Sequence, residues 1–67
     1  MIAIFINGTA QIFERQISVA ELVENMQLRS KRIAIECNGE IVPRGQFQQH
    51  MLQDSDKLEI VVAVGGG

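Results

Sequence analysis

The side chains that could do chemistry are few, and they stand apart from one another along this 67-residue chain. His50 is the single histidine and Cys37 is the single cysteine. Nothing near His50 in the sequence supplies the nucleophile or the paired carboxylate of a catalytic set. One cysteine and one histidine also cannot complete a tetrahedral metal shell. We therefore predict a surface or rim histidine, a small buried hydrophobe at Cys37 rather than a reactive thiol, and no catalytic or metal-binding residues.

Two charged groups invite a functional interpretation. Asp54 and Asp56 are spaced like calcium ligands, but the segment lacks the glycine and the distal glutamate of an EF-hand loop, so a polar turn is predicted. Arg29, Lys31 and Arg32 form a short basic cluster, which indicates either a solvated loop or contact with an acidic partner. The net charge of −2 argues against nucleic acid as the main partner.

The run of three glycines at the end of the sequence is the most unusual feature of the composition. Gly65, Gly66 and Gly67 follow an apolar segment directly, and no phosphate-binding glycine motif is present. Because glycine has no side chain and a wide conformational range, such a segment can thread a narrow slot in a partner enzyme with the Gly67 carboxylate leading. A frayed end or a cloning remnant is the alternative, and the residues alone leave both open.

The length of the chain and its cysteine content limit the kind of domain that precedes the glycine tail. Sixty-seven residues make one small domain with a thin core and no room for a large internal cavity. A single cysteine forms no intramolecular disulfide, which favours a reducing, cytoplasmic location. Since the chain shows neither a secretory signal pattern nor an apolar run near 18 residues, we expect a soluble protein with no membrane partner.

The first half of the chain predicts a hairpin followed by a helix. Ile2–Ile6 is rich in β-branched residues and ends at Asn7-Gly8, a pair typical of tight hairpin turns, so residues 10–15 are predicted to form the returning strand. Ser18 and Glu21 have capping-box spacing and begin a helix. Its apolar stripe comprises Val19, Leu22, Val23 and Met26.

The second half predicts three further strands. Ile33–Cys37 alternates in strand fashion, Asn38-Gly39 is a second turn signal, and residues 40–42 form a short strand. Pro43 is suited to begin a short helical segment reaching residue 51, with inward-facing apolar side chains. Those inward residues are Phe47 and Met51, and the last strand would turn Leu58, Ile60, Val62 and Val64 inward.

The order of elements predicts an α+β fold of the β-grasp type. One main helix and a short helical turn accompany a mixed sheet of about five strands, with the first and last strands, the most β-branched, side by side in the centre. We assign residues 1–64 to this domain and residues 65–67 to a flexible glycine tail. Phe5, Val61 and Ala63 would lie on the sheet face away from the helix, where an exposed apolar patch usually marks a partner-binding site or a dimer contact.

Several short motifs together resemble a known family. They are Ser18-Val19-x-Glu21-Leu22-Val23, Ile41-Val42-Pro43-Arg44, Phe47, Asp54-x-Asp56 and the final Gly66-Gly67. With the β-grasp order, they make essentially the whole chain similar to the ThiS family of ubiquitin-like sulfur carriers. A glycine at position 65 departs from the family's commoner pattern, in which a small residue with a side chain precedes the glycine pair.

This resemblance implies a carrier without enzymatic activity or a bound cofactor. Its Gly67 carboxylate would be adenylated at the expense of ATP by an E1-like, ThiF-like enzyme and converted to a thiocarboxylate with persulfide sulfur, for example from a cysteine desulfurase. A ThiG-like thiazole synthase would then accept the sulfur, while Gly65 and Gly66 give access to the carboxylate. The small subunit of molybdopterin synthase, a ubiquitin-like protein modifier and a plain interaction module are the alternatives.

Overall fold

The computed structural model describes residues 1–63, which form a five-stranded mixed sheet with one helix packed on one face. The elements are β1 (Ile2–Ile6), β2 (Thr9–Phe13), α1 (Val19–Asn25), β3 (Ile33–Cys37), β4 (Glu40–Ile41), a 3-10 turn (Arg44–Gln46) and β5 (Lys57–Val62). The strand order is β2-β1-β5-β3-β4, and β1 and β5 are parallel neighbours while the other pairs are antiparallel. The predicted central pairing of the first and last strands is confirmed.

Helix α1 begins at the predicted capping box. The Glu21 backbone N–H donates to Ser18 Oγ at 3.1 Å, and the Ser18 N–H donates to Glu21 Oε1 at the same distance. A helix this short is marginal alone, so its stability comes from the apolar face formed by Val19, Leu22 and Val23, all buried. Within residues 1–63, no helix is long and apolar enough to cross a membrane.

The core lies between α1 and the inward face of the sheet. The buried apolar residues are Ile4, Ile6, Ile17, Val19, Leu22, Val23, Ile35, Cys37, Val42, Phe47, Leu52, Leu58 and Ile60. The predicted alternation therefore holds for the three longest core strands, β1, β3 and β5. The prediction that Val64 continues this pattern concerns a residue outside the described range, as does the assignment of residues 65–67 to a tail.

The two Asn-Gly turns both brace β5, which is the strand that leads to the glycine tail. Asn7 and Asn38 adopt positive φ angles of 50° and 53°. The Asn7 side chain donates to the Ile60 carbonyl at 3.1 Å and accepts the Ile60 N–H at 2.7 Å. On the other side of β5, the Lys57 N–H donates to Asn38 Oδ1 at 3.0 Å. Each asparagine thus provides a turn and a lateral support for β5.

Replacing Asn7 by alanine is expected to lower the free energy of unfolding by about 2 kcal/mol, because the partly buried Ile60 amide and carbonyl lose their partners. Urea unfolding measures this loss. Asn7→Gly removes the same hydrogen bonds, but glycine adopts positive φ easily. The difference in free energy of unfolding between the alanine and glycine variants therefore measures the strain of a non-glycine residue at this φ. Asn25→Ala, at the exposed end of α1, is the matched control. An equal effect of Asn7→Ala and Asn25→Ala would contradict the proposed bracing.

The second strand is displaced from the predicted residues 10–15. It spans Thr9–Phe13, because the two-residue turn at Asn7-Gly8 pairs Ile6 with Thr9 and the ladder ends where Ile2 meets Phe13. Glu14 and the residue after it lie beyond β1 and form a bend. Similarly, the predicted strand at residues 40–42 is shortened to Glu40–Ile41, although the Val42 N–H still donates to the Ile35 carbonyl at 2.8 Å.

The segment after Pro43 is less helical than predicted. Only Arg44–Gln46 forms a 3-10 turn, and Phe47 is buried as expected. The inward placement of Met51 is wrong, since its side chain is 42% exposed. Met51 pairs with Ser18 in an isolated antiparallel bridge, and this extended backbone turns the next residue, Leu52, into the core instead.

Candidate functional site

The place where the chain leaves the sheet is defined by backbone contacts at the end of β5. Val62 pairs with Ile33, and the Ala63 N–H then donates to the Arg32 carbonyl at 2.8 Å. Ala63 is exposed directly beyond this point. The predicted reacting and access residues, Gly65 to Gly67, lie outside the described residues. What the structure provides is their starting point, anchored beside the segment that precedes β3.

The open face of the sheet carries both predicted patch residues of the described strands. Phe5 is half-buried and pairs with Lys57, while Val61 is 64% exposed and pairs with Ala34. Since Lys57, Glu59 and Val61 alternate onto the same face, Phe5 and Val61 are separated by about 13 Å along β5. The charged side chains of Lys57 and Glu59 lie between them.

The open face therefore has two apolar areas rather than one continuous patch. We call Ala34, Val61 and Ala63 the tail-side patch, because Ala63 begins the exit of the chain. Phe5 belongs to a second area, the far patch, with Ala3 and Ile12. Sequence alternation alone found the correct face but did not reveal the charged strip across it, because the register that places Phe5 beside Lys57 is not contained in the pattern of either strand.

Two large apolar residues on this face were missed at the level of sequence. Ile12 is 62% exposed and pairs with Ala3, and Ile41 is 72% exposed and pairs with Glu36. The two Asn-Gly turns were the signal that could have found them. A two-residue turn determines which residues face each other, and paired residues share one face of the sheet.

Cys37 belongs to the buried core, as predicted for a small hydrophobe, and is 8% exposed. Burial raises the pKa of its thiol above the ordinary value, and Asp56 and Glu40 raise it further. The thiol is therefore protonated near neutral pH, which disfavours nucleophilic chemistry. His50 is half-buried at the rim of a shallow groove of about 410 Å³ that Cys37 also lines. In the part of the chain that the structure describes, no group of three or more potential ligands could hold a metal ion.

The Asp54-Ser55-Asp56 segment is a polar turn, as predicted. Asp54 Oδ1 accepts the Ala3 N–H at 2.7 Å, and Asp56 Oδ2 accepts the Gln53 N–H at 2.8 Å. The other Asp56 oxygen accepts from the Asn38 side chain at 3.0 Å. These carboxylates tie the turn to the start of β1 and to the turn between β3 and β4, so their role in the described structure is structural.

Comparison with a solved structure supports the architecture of the described residues. The crystal structure of a thiamine biosynthesis protein (ThiS) from Geobacter metallireducens superposes with a TM-score of 0.83 at 25% identity, covering 98% of this chain and all of that one. That match confirms the β-grasp fold with five strands and one main helix.

Two relatives with curated names show the same similarity at the level of sequence. The sulfur carrier protein ThiS of Escherichia coli is 38% identical over 50 residues, which cover 75% of this chain and 76% of that protein. A thiazole synthase of Paramagnetospirillum magneticum is 40% identical over 62 residues, or 92% of this chain, and the match spans 19% of its length. The model of the ThiS family matches residues 3–67. This chain belongs to the ThiS family.

Proposed function

We propose that this chain is a sulfur carrier for thiamine biosynthesis and that the Gly67 carboxylate carries the sulfur. The observation that supports this most directly is the family match, which extends through Gly66 and Gly67. The structure adds a rigid origin for the tail, because β5 is held by two neighbouring strands and two asparagine side chains. Cys37 and His50 line one groove, but burial and the neighbouring Asp56 raise the pKa of the thiol, so we assign the chemistry to partner enzymes.

The proposed chemistry begins with activation of a poor electrophile. A carboxylate resists attack because its charge is delocalised, so an oxygen of the Gly67 carboxylate first attacks the α-phosphate of ATP and displaces pyrophosphate. The resulting acyl-adenylate has a good leaving group. The terminal sulfur of a persulfide attacks the acyl carbon and expels AMP, which gives an acyl disulfide. A second thiol then attacks the donor's sulfur, forms a disulfide with it and releases the thiocarboxylate. This chain binds no cofactor in this scheme, and the ATP is consumed by the activating enzyme.

Three partners follow from this scheme. An E1-like, ThiF-like enzyme would perform the adenylation, and a persulfide donor such as a cysteine desulfurase would provide the sulfur. A ThiG-like thiazole synthase would accept it. The relative from Paramagnetospirillum, which is named thiazole synthase and aligns with 92% of this chain, supports the choice of acceptor.

We assign docking of these enzymes to the open face of the sheet. Val61 and Ala63 are exposed and lie next to the origin of the tail, so an enzyme that holds Gly67 also meets the tail-side patch. Phe5 lies beyond the charged strip of Lys57 and Glu59, and its contribution to binding is expected to be smaller. An exposed apolar area close to a reacting group is a common form of binding site.

Incubation with ATP, an E1-like enzyme and a persulfide donor is expected to replace one oxygen of the chain by sulfur. Intact-mass measurement detects the change, and fragmentation localises it to Gly67. Omission of ATP is the control, because the unactivated carboxylate does not react. Attachment to lysine amines of other proteins would instead identify a protein modifier. An unchanged mass with an enzyme that activates another ThiS carrier would contradict the proposal.

A further inference from the structure

The positive charges of this acidic chain are concentrated beside the origin of the tail. Its six cationic side chains are Arg15, Arg29, Lys31, Arg32, Arg44 and Lys57. Three of them fall within the segment between α1 and β3, and all three are exposed. The sequence alone leaves open whether this segment is merely solvated. The structure supplies two contacts that bear on the question.

The first contact brings a fourth cation to the segment. Arg44 Nη2 donates to the Lys31 carbonyl at 3.1 Å, and the Arg44 guanidinium lies over the Phe47 ring, 5.8 Å from its centroid. Arg29 and Arg44 line the same groove, whose volume is about 430 Å³. The Glu24 carboxylate also lines it and offsets part of the charge. We call Arg29, Lys31, Arg32 and Arg44 the basic cluster.

The second contact places the basic cluster at the exit of the tail. The Arg32 carbonyl accepts the Ala63 N–H at 2.8 Å. Gly67 follows Ala63 by four residues, and four residues span at most about 14 Å when fully extended. An enzyme that encloses the Gly67 carboxylate therefore has its slot within about 14 Å of Ala63, whose N–H is hydrogen-bonded to Arg32 of the basic cluster.

We propose that the basic cluster docks against an acidic rim around the tail-binding slot of the adenylating enzyme. This inference rests on the proposed function and extends it to the partner's chemistry. Charges at the edge of an interface act mainly on the rate of encounter, and they orient the incoming chain before the tail enters the slot. The net charge of −2 disfavours nucleic acid as the occupant, since the cluster is small and the rest of the chain would be repelled.

Charge reversal tests the proposal with the adenylating enzyme used in the mass experiment. Lys31→Glu and Arg32→Glu are each expected to lower kcat/KM for adenylation several-fold, and the double variant about tenfold or more at low salt, with little change in kcat. The differences should shrink as salt screens the charges. Arg15→Glu makes the identical change in charge at an exposed position after β2 and should leave kcat/KM nearly unchanged.

Three outcomes would overturn the proposed docking of the basic cluster against an acidic rim. Equal values of kcat/KM for the wild type, the three cluster variants and Arg15→Glu would overturn the acidic rim while leaving the carrier function intact. A wild-type chain that is never adenylated would overturn the proposed function and the rim together. Reversals that weaken binding of a single-stranded oligonucleotide but spare adenylation would assign the cluster to nucleic acid and overturn the proposal. Unfolding in urea confirms that the variants are folded.

Discussion

Gly66→Val is expected to lower the rate of thiocarboxylate formation at least about a hundredfold, because a displacement of 1 Å at a reacting centre costs roughly this factor. In the proposed function, the slot of the activating enzyme closes around a tail backbone that carries no side chains. A branched side chain next to the reacting residue would hold the Gly67 carboxylate away from ATP. Intact mass after timed incubation with the activating enzyme measures the rate.

Two further variants test whether the loss of conversion in Gly66→Val arises from the chemistry of the tail. Gly65→Ala is the control, and we expect nearly normal conversion because the family's commoner pattern has a small side chain at this position. Deleting Gly67 shortens the reach of the tail by about 3.5 Å and should abolish conversion. A plain docking module would keep its partner binding through all three changes. Conversion of Gly66→Val at the full rate would contradict the narrow slot, and conversion of the chain that lacks Gly67 would contradict the assignment of Gly67 as the reacting residue.

Val61→Asp is expected to weaken binding to the adenylating enzyme and to the thiazole synthase about tenfold or more. Val61 is 64% exposed at the centre of the tail-side patch, and burying a carboxylate against an apolar partner surface has a large desolvation cost. Titration calorimetry or a spectroscopic binding assay with each purified enzyme measures the effect. Because the side chain is exposed, the variant should unfold at nearly the same temperature as the wild type.

The position of the docking area on the sheet is tested by two further aspartate variants. Ile12→Asp makes the same change at 62% exposure in the far patch and should have little effect on binding. Phe5→Asp is expected to fall between these two variants, and its thermal unfolding must be measured because Phe5 is half-buried. Equal losses for Val61→Asp and Ile12→Asp would show that position on the open face does not matter and would contradict the tail-side assignment.

Most of the fold could be predicted because its signals act between neighbours in the sequence. The reciprocal hydrogen bonds of Ser18 and Glu21 span only four residues, and the Asn7-Gly8 turn needs two. Met51 was misplaced for the opposite reason. Its orientation depends on a bridge to Ser18, which lies 33 residues earlier, and no local pattern carries that information.

The sequence by itself determined the order of the elements along the chain, the helix start and the buried face of each long strand, and its composition singled out the glycine tail as the candidate site. The helix start and the buried faces follow from short-range periodicity and local hydrogen bonding. Only the tertiary structure decided that Phe5 and Val61 are separated by charged residues and that Arg44 joins the segment containing Arg32. It also brought that segment to the exit of the tail at Ala63. These contacts join residues far apart along the chain, so they depend on the register of the assembled sheet, which composition and spacing do not encode.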